Sequence, residues 1–267
     1  VEDITKKVSI KNTSFNVLIS GMDSYGTINK TTRNDVNMIA TINPNTNKVL
    51  LTSIPRDYYV QLHGKTGYKD KLTHAGIYGI NTVVQTIEDL FGIDINYYVR
   101  VNFTTVESLV NTIGPIEIYS DKAMSLDGCK YVVGTNTVNG KCALRFARER
   151  HSYVEGDNHR IKNQQEVIKG IFNKLSKSAM VVTDYTSILD SLDGKFATNM
   201  DMKDITAFIK YELEDITKYE ILDTQVTGTG SMELTYSYPH QKLYVMFPSE
   251  QSVESAKEYI NKISNEK

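Results

Sequence analysis

The sequence contains 267 residues, of which 40% are hydrophobic and 23% charged, and its formal net charge is −2. A chain of this length can bury a full α/β core. Its nearly balanced charge argues against a general nucleic-acid-binding protein, which would carry a basic excess. It contains no apolar run of about 18 residues, so no segment of it is predicted to span a membrane.

Apolar runs bounded by turn residues predict strands, and apolar residues at helical spacing predict helices. In chain order, the first half is predicted to contain strands at 15–20, 36–43 and 48–55, a helix at 80–92, a strand at 96–102, a helix at 104–114, a strand at 115–120 and a short helix at 140–147. The second half is predicted to contain helices at 157–177, 184–193 and 201–213, strands at 218–228 and 242–248, and a closing helix at 249–264. Alternating strands and helices predict an α/β fold with a central mixed β-sheet flanked by helices on both faces. No internal repeat or low-complexity linker divides the pattern, so we predict one domain over residues 1–267.

Acidic residues flank the loop between the first two predicted strands. Asp23 follows the first strand and Asp35 precedes the second, so both belong at strand ends, where open α/β sheets bind ligands. Two carboxylates beside a diphosphate suit Mg²⁺, which prefers one or two carboxylates together with phosphate oxygens and water. Arg33 shares this loop, and Arg56 ends the next strand at the same edge. Each position taken alone is also compatible with ordinary loop capping.

Arginines are concentrated in one short segment. The chain has seven arginines among its 30 basic residues, and Arg145, Arg148, Arg150 and Arg160 fall within sixteen positions. A spacing of two places Arg148 and Arg150 on one side only if the chain there is extended, as it would be after leaving a helix near Ala147. The rigid guanidinium fork suits phosphate better than the lysine ammonium does. We therefore predict an anionic, phosphorylated ligand; the alternative is a surface ion-pair network with the acids of this segment, Glu149, Glu155 and Asp157.

The helix predicted at 157–177 carries a glutamine on its apolar face. Gln164 lies between Ile161 and Ile168, and a glutamine there must find partners or cost about 1–3 kcal/mol. Arg160 precedes Gln164 by one turn, so the two side chains can reach the same place. The alternative is a capped amphipathic helix, with Asp157 in its first turn and Gln164 at the edge of its buried face.

The two cysteines, Cys129 and Cys142, are thirteen positions apart. In an exported protein they could close a small loop by a disulfide, whereas in a cytosolic protein they would be free thiols, and the cysteines alone leave both options open. Two enzyme classes are excluded more simply. The chain has no GxxxxGK[ST] phosphate loop, and Met22 stands where a GxSxG nucleophile motif needs its first glycine.

Several stretches in order along residues 15–175 resemble the LytR–CpsA–Psr family of cell-envelope glycopolymer transferases, particularly its capsule-associated members. The matching stretches are FNVLISGMDS, TRNDVNMIATINPNTNKVLLTSIPRD, KDKLTHAGIYG, INYYVRVNFT, VNGKCALRFARER and GDNHRIKNQQEVI. By this resemblance, Asp23 and Asp35 match the metal-binding acids. The diphosphate-binding positions are matched by Arg33, Arg56, Arg148, Arg150, Arg160 and Gln164. Residues 176–267 are expected to complete the domain with helices and strands.

The resemblance implies an Mg²⁺-dependent phosphotransferase that moves a glycopolymer, expected to be capsular polysaccharide, from a polyprenyl diphosphate carrier onto peptidoglycan. It also implies a hydrophobic lipid pocket beside the arginines. Because members act outside the cell membrane of Gram-positive-type bacteria and are anchored by an N-terminal helix, we expect such an anchor ahead of Val1. Two alternatives use the same anion site: a hydrolase that cleaves the polyprenyl diphosphate with water, and a non-catalytic polyprenyl-phosphate-binding regulator of envelope assembly.

Overall fold

The computed structural model describes residues 2–28, 31–154, 156–176, 185–208 and 219–267. Their centre is a six-stranded sheet. Its strands in spatial order are β11 (Ala197–Thr198), β6 (Tyr97–Val101), β1 (Phe15–Gly21), β2 (Val36–Asn43), β3 (Lys48–Ile54) and β12 (Glu220–Gln225). The strands β1, β2 and β3 are antiparallel neighbours, whereas β6 runs parallel to β1 and β12 runs parallel to β3. The predicted α/β fold with a central mixed sheet is confirmed.

Helices cover both faces of this sheet. The seven α-helices of the described part are α1 (Ile80–Phe91), α2 (Phe103–Ile113), α3 (Gly140–Arg148), α4 (Asp157–Ser176), α5 (Tyr185–Ser191), α6 (Met202–Phe208) and α7 (Glu250–Asn265). Successive residues of a strand point to opposite faces, so Leu18 of β1 packs in the core beneath α1 and α7. Its neighbour Val17 packs on the opposite face, where Ile168 and Phe172 of α4 lie.

Short strand pairs surround the central sheet. They are β4 (Tyr59–Val60) with β5 (Asp70–Lys71), β7 (Ile116–Ser120) with β10 (Gly134–Val138), β8 (Met124–Leu126) with β9 (Cys129–Tyr131), and β13 (Gly228–Glu233) with β14 (Leu243–Pro248). A 3₁₀ helix, Leu72–Tyr78, follows β5. The sequence predicted β7 and β14 but missed the other six. Four of these have only two or three residues, too few to show a period of two, and β10 (GTNTV) and β13 (GTGSME) contain few apolar residues.

The predicted helices agree with the structure where the chain is described. The helix predicted at 157–177 is α4, and those predicted at 184–193 and 201–213 correspond to α5 and α6; residues 177–184 and 209–218 lie outside the described residues. Across the described ranges, no helix is both long enough and apolar enough to cross a membrane. One close contact fixes α4: a side chain at Gly170 would overlap the backbone carbonyl of Glu117 in β7, so the helix packs directly on that strand.

Candidate active site

The two acids that the sequence singles out lie at one edge of the sheet. Asp23 comes two residues after β1, and Asp35 immediately precedes β2. The backbone amide of Asp35 donates to the carbonyl of Gly21 at 2.8 Å, which joins the two chain segments beside the acids. Antiparallel pairing of β1 with β2 therefore brings the ends of a long loop together, as predicted from the strand ends.

A cavity of about 550 Å³ opens at this edge. Seven of the eight predicted site residues line it: Asp23, Asp35, Arg56, Arg148, Arg150, Arg160 and Gln164. The eighth, Arg33, is exposed and is not among the described residues that line the cavity. The structure thus gathers residues from three separate parts of the sequence into one place, and the role of Arg33 stays a prediction.

Asp35 is held by a set of polar contacts. Its Oδ1 accepts a hydrogen bond from Arg56 Nη1 at 2.8 Å and a longer one from Thr73 Oγ1 at 3.4 Å. The neighbouring Asp57 forms an ion pair with Lys71, with 2.7 Å between Oδ1 and Nζ. The Nε of Arg56 lies 3.9 Å from the other carboxylate oxygen of Asp57. Asp35 and Asp57 are therefore each paired with a basic side chain of the protein itself.

The 3₁₀ helix positions the loop that carries Asp35. The amide of Thr73 donates to the carbonyl of Arg56 at 2.9 Å, and the amide of Asn34 donates to the carbonyl of Thr73 at 3.1 Å. The amide of Gly76 donates to Asn34 Oδ1 at 2.8 Å, and a side chain at Gly76 would overlap the carbonyl oxygen of Thr32. Residues 69–76 (KDKLTHAG) thus form a support for Asp35, because their hydrogen bonds position Asn34, which precedes Asp35, and Arg56, which pairs with it.

A buried pair of Asp70 and His74 anchors this support in turn. Asp70 and His74 are both buried, and His74 Nδ1 lies 2.6 Å from Asp70 Oδ1. The other carboxylate oxygen of Asp70 accepts from the Ser237 hydroxyl at 2.5 Å and from the Ser237 amide at 2.9 Å. Burial by itself raises the pKa of Asp70, but the hydrogen bonds from His74 and Ser237 outweigh it and hold the pKa below 3.8. Asp70 is therefore a buried anion that ties the 3₁₀ helix to the chain that follows β13.

Arg148 is the last residue of α3, and its side chain extends toward Asp23. Its Nη2 lies 3.6 Å from Asp23 Oδ1, and its guanidinium lies 4.2 Å from the centre of the Phe103 ring. The chain becomes extended at Glu149, with φ −70° and ψ 130°, so Arg150 follows in the exit from the helix. The helix ends one residue later than the predicted Ala147, but both arginines still line the same cavity.

Helix α4 supplies Arg160 and Gln164, which lie one turn apart and line the cavity together. Arg160 is buried. The neighbours of Gln164 turn elsewhere: Asn163 Nδ2 donates to the carbonyl of Phe146 at 3.1 Å, and Gln165 Nε2 donates to the Ser53 hydroxyl at 3.0 Å. The first bond fixes α4 to α3 and the second fixes it to the sheet. The roles of these two buried amides were not predicted, because their partners lie in other elements and spacing within α4 does not identify them.

An apolar cavity of about 320 Å³ lies between the sheet and helices α2 and α4. Its walls come from β1 and β2 (Phe15, Val17, Ile19, Ala40, Ile42), from β3 and β6 (Val49, Leu51, Val99, Val101), from α2 (Thr105, Val106, Leu109), from α4 (Ile168, Ile171, Phe172) and from Met200. Among these described lining residues, Thr105 alone has a polar side chain. Strand β2 and helices α2 and α4 therefore line both the arginine cavity and this apolar cavity, which is called the apolar slot below.

Comparison with known proteins identifies the family. The profile of the LytR_cpsA_psr family matches residues 2–258, almost the whole chain. The chain belongs to the LytR–CpsA–Psr family.

Named relatives of this family agree with that assignment. The chain is 34% identical over 231 residues to the polyisoprenyl-teichoic acid–peptidoglycan teichoic acid transferase TagU of Bacillus subtilis (strain 168), which covers 85% of this chain and 72% of the relative. It is 32% identical over 228 residues to TagU of Enterococcus faecalis, covering 84% and 73%. A solved structure described as TagT bound to LIIa-WTA superposes with a TM-score of 0.76 at 25% identity, over 98% of this chain and 94% of that one.

The metal that the LytR–CpsA–Psr resemblance implies fits the donor set here. Within the described ranges, no cluster of three or more His, Cys, Asp or Glu side chains could enclose a metal ion. Asp23 and Asp35 nevertheless line one cavity and offer carboxylate oxygens, the donors that Mg²⁺ takes when phosphate and water complete its shell. Two carboxylates would thus fill only part of the coordination shell of such a metal, and phosphate oxygens and water would complete it.

One wall of the cavity was not predicted. Arg145 precedes Arg148 by three residues on α3 and lines the cavity with it, while its Nη2 lies 3.0 Å from Asp127 Oδ2 in the turn between β8 and β9. The helical spacing of three could have predicted that Arg145 shares a face with Arg148. Asp127 carried no signal, because the hairpin that presents it was missed.

A disulfide joins the same two elements. Cys129 of β9 and Cys142 of α3 are bonded, with their Cα atoms 5.6 Å apart. The Tyr131 hydroxyl donates to the carbonyl of Cys142 at 2.7 Å, beside the bridge. The sequence left open whether the two cysteines are bonded or free, and the structure has them bonded. The disulfide connects the β8–β9 hairpin to α3, the helix that carries Arg145 and Arg148.

Proposed function

We propose that the chain is an extracytoplasmic transferase that moves a glycopolymer from a polyprenyl diphosphate carrier onto peptidoglycan. The observation that carries this proposal is that helices α2 and α4 each line both a cavity that contains arginines and an apolar slot, at residues about one turn apart. A lipid diphosphate has a matching form, because its anionic head is joined directly to an apolar chain. Membership of the family supports a glycopolymer transferase, and the names of the relatives support a lipid-linked donor and a peptidoglycan acceptor.

The spacing along each shared element agrees with such a ligand. On α4, Gln164 lines the arginine cavity and Ile168, one turn later, lines the slot. On α2, Phe103 lines the cavity and Val106 lines the slot. One helical turn advances the axis by about 5.4 Å, a short step from a phosphate to the first carbons of its lipid.

The arginines account for the head-group chemistry. Transfer from a diphosphate requires binding and neutralising charge on the departing phosphate. Arg148, Arg150 and Arg160 can each bind phosphate oxygens through a rigid fork of donors. Asp35 holds Arg56 in place at the opposite wall, so its guanidinium is already oriented toward the cavity. Asp23 and Asp35 would hold Mg²⁺, which would supply Lewis-acid stabilisation of phosphate charge.

The polymer and the setting of the reaction also belong to this proposal. The resemblance of the motifs favours capsular polysaccharide, whereas the relatives are named for teichoic acid. Both are glycopolymers, and a transfer assay with each lipid-linked donor separates them. We further propose that the protein acts at the outer face of a Gram-positive-type membrane, attached by an N-terminal helix as the family resemblance implies.

The test combines identification of the ligand with turnover. Mass spectrometry of lipid extracted from the purified protein should find a polyprenyl phosphate or diphosphate. Incubation with a lipid-linked oligosaccharide and peptidoglycan fragments should then yield a covalent glycan–peptidoglycan product, which Arg148→Ala should abolish. Lys130→Ala is a matched control, because Lys130 is an exposed cation outside the cavity.

Other outcomes identify the alternatives. Release of free glycan at the same rate with and without acceptor would replace transfer by hydrolysis. Tight binding of lipid without turnover and without a need for Mg²⁺ would indicate a binding regulator. Absence of polyprenyl lipid, together with no affinity for an added polyprenyl diphosphate, would contradict the proposal altogether.

A further inference from the structure

We propose that the β8–β9 hairpin and helix α3 form a subsite that recognises the first sugar attached to the carrier diphosphate, through Asp127 and Arg145. This inference rests on the proposed function and extends it from the lipid diphosphate to the saccharide of the donor. It concerns two residues of the cavity wall, Asp127 and Arg145, that are not among the predicted diphosphate-binding residues.

The cavity has space beyond a diphosphate. Its volume of about 550 Å³ falls within the range of about 300–1,000 Å³ typical of pockets that enclose a drug-sized ligand. The predicted phosphate-binding arginines come from the chain just after β3, from α3 and the chain just after it, and from α4. Another wall is the hairpin, which contributes Ser125, Leu126 and Asp127. A group attached to the bound diphosphate can therefore extend toward this wall.

The hairpin turn presents Asp127 at a defined position. Leu126 pairs with Cys129 in the β8–β9 ladder, so Asp127 and Gly128 form a two-residue turn. Both residues have positive φ, 47° and 86°, as in the turns that best fit the twist of a tight hairpin, where Asp-Gly is a favoured pair. A turn of this kind has few alternative backbone conformations, so the position from which the Asp127 side chain extends is fixed relative to the two strands.

Two links connect the hairpin to α3. The disulfide joins Cys129 to Cys142, and the Asp127 carboxylate meets Arg145 at 3.0 Å. Because Cys142 and Arg145 are three residues apart on a helix, they lie on the same face. The disulfide therefore holds the hairpin beside the part of α3 where Asp127 contacts Arg145.

The two links differ in strength. The side chains of Arg145 and Asp127 are 38% and 64% exposed, and ion pairs this accessible contribute about 0–1 kcal/mol to stability. The disulfide can hold the hairpin without the ion pair. Asp127 and Arg145 can therefore exchange their mutual contact for contacts with a ligand while the wall remains in place.

The chemistry of this pair selects a hydroxylated ligand. A phosphate accepts hydrogen bonds only, and the Asp127 carboxylate would repel it. A sugar hydroxyl both donates and accepts, so it can donate to Asp127 and accept from Arg145, with the Ser125 hydroxyl able to do either. Unlike Asp23 and Asp35, Asp127 is not assigned to a metal, which leaves its oxygens for such contacts.

The test measures the contribution of one sugar to binding. Affinities of the purified protein are measured for farnesyl diphosphate and for the same lipid diphosphate carrying one N-acetylglucosamine. We expect the parent to bind the sugar-bearing probe about tenfold more tightly, equivalent to about 1.4 kcal/mol. Asp127→Ala should remove this difference without lowering the affinity for farnesyl diphosphate. The matched control Lys130→Ala, on the same hairpin but outside the cavity, should keep the difference.

The outcomes separate this inference from the proposed function. If the parent binds both probes equally, or if Asp127→Ala keeps the full difference, the sugar subsite is wrong while the diphosphate site stands. An equal loss of affinity for both probes in Asp127→Ala would likewise contradict a sugar-specific role. If the parent binds neither probe, the proposed function fails and the subsite fails with it. The double variant Cys129→Ser with Cys142→Ser should also lose the sugar contribution, and retention there would overturn the role given to the disulfide.

Discussion

Asp35 and Arg56 form a short ion pair, 2.8 Å between Oδ1 and Nη1, with only 16% and 23% of their side chains exposed. The carboxylate predicted to bind a metal is thus already in contact with a cation. A metal ion bound at Asp35 would share this carboxylate with Arg56, and it would gain little from the protein unless phosphate oxygens joined its coordination shell.

Binding of Mg²⁺ should therefore depend on a diphosphate. We expect calorimetry to show weak binding of Mg²⁺ to the protein alone and binding at least about tenfold tighter in the presence of a polyprenyl diphosphate analogue. Asp35→Ala should lose turnover and keep appreciable diphosphate affinity, since removing a carboxylate also removes repulsion toward the anion. Equal Mg²⁺ affinity in both titrations, or full activity in a chelator, would remove the metal from the mechanism.

Arg148 and Arg150 should serve the ligand rather than the fold. Arg148→Ala and Arg150→Ala should each weaken diphosphate binding by roughly 10- to 100-fold, because a charge-assisted contact is worth about 1.5–3 kcal/mol. The melting temperature should change little, since the Arg148 side chain is 38% exposed and its contact with Asp23 is long, at 3.6 Å. Parental affinity in either variant would contradict the diphosphate site, and a large fall in melting temperature in both would instead favour a structural ion-pair network.

The buried pair of Asp70 and His74 should stabilise the fold in a pH-dependent way. The pKa of Asp70 is lower in the folded chain than its usual 3.8, so the ionised form stabilises the protein above about pH 4, and this contribution is lost as the pH falls through the folded pKa. Urea unfolding between about pH 3 and 5 should show this dependence in the parent and a shallower one in Asp70→Asn.

Removing the partner of Asp70 tests the same pair at neutral pH. His74→Ala should lower the free energy of unfolding by about 3–5 kcal/mol, because it leaves a buried carboxylate without its main partner. His63→Ala provides a matched control, since His63 makes an exposed contact of 2.7 Å with Asp89. If both variants lowered the free energy of unfolding by a similar small amount, the buried Asp70–His74 pair would stabilise the fold no more than the exposed His63–Asp89 pair.

Reducing the volume of the apolar slot should weaken the binding of long lipid chains. Ala40 lines the slot from β2 and is nearly buried, so Ala40→Leu should reduce its volume while keeping an apolar surface. Added methylenes in a packed region cost about 1–3 kcal/mol, and thermal unfolding should register that cost. Affinity for a long polyprenyl diphosphate should fall while affinity for inorganic diphosphate stays unchanged; an unchanged preference for long chains would place the lipid elsewhere.

The disulfide should be detectable without any activity assay. A peptide map of unreduced protein should contain the linked peptides of Cys129 and Cys142, and two free thiols would contradict the pairing. In the chain-entropy description, a closed loop of this size contributes about 3 kcal/mol, so reduction should lower the melting temperature measurably. Arg148 lies six positions beyond Cys142, so binding of a bare lipid diphosphate should survive reduction.

The sequence allowed the sheet and most of the cavity to be predicted. The acids Asp23 and Asp35 were placed correctly because antiparallel neighbours must share an edge, and the strands that lead to them are long apolar runs. Arg148 and Arg150 required only the end of one short helix to be located. These inferences depend on local patterns, which are visible in a single chain.

The contacts that were missed are those between distant segments. The bond from Gln165 to Ser53 joins residues 112 positions apart, and the one from Ser237 to Asp70 spans 167. Neither partner has a distinctive neighbourhood, so spacing along the sequence cannot pair them. Asp127 was missed for a related reason, since its three-residue strands are recognised only once they are paired with each other.

Helix α4 places limits on how this protein can vary. Gln164 faces the polar cavity and Ile168 the apolar slot, so their relative orientation depends on the number of residues between them. Inserting one residue there would turn the rest of the helix by about 100° and shift it by about 1.5 Å, moving Ile168, Ile171 and Phe172 off the slot together. Under the proposed function, substitution could therefore adapt either end of the helix to a different head group or lipid chain. A change in length between Gln164 and Ile168 would instead separate the residues for the head group from those for its chain.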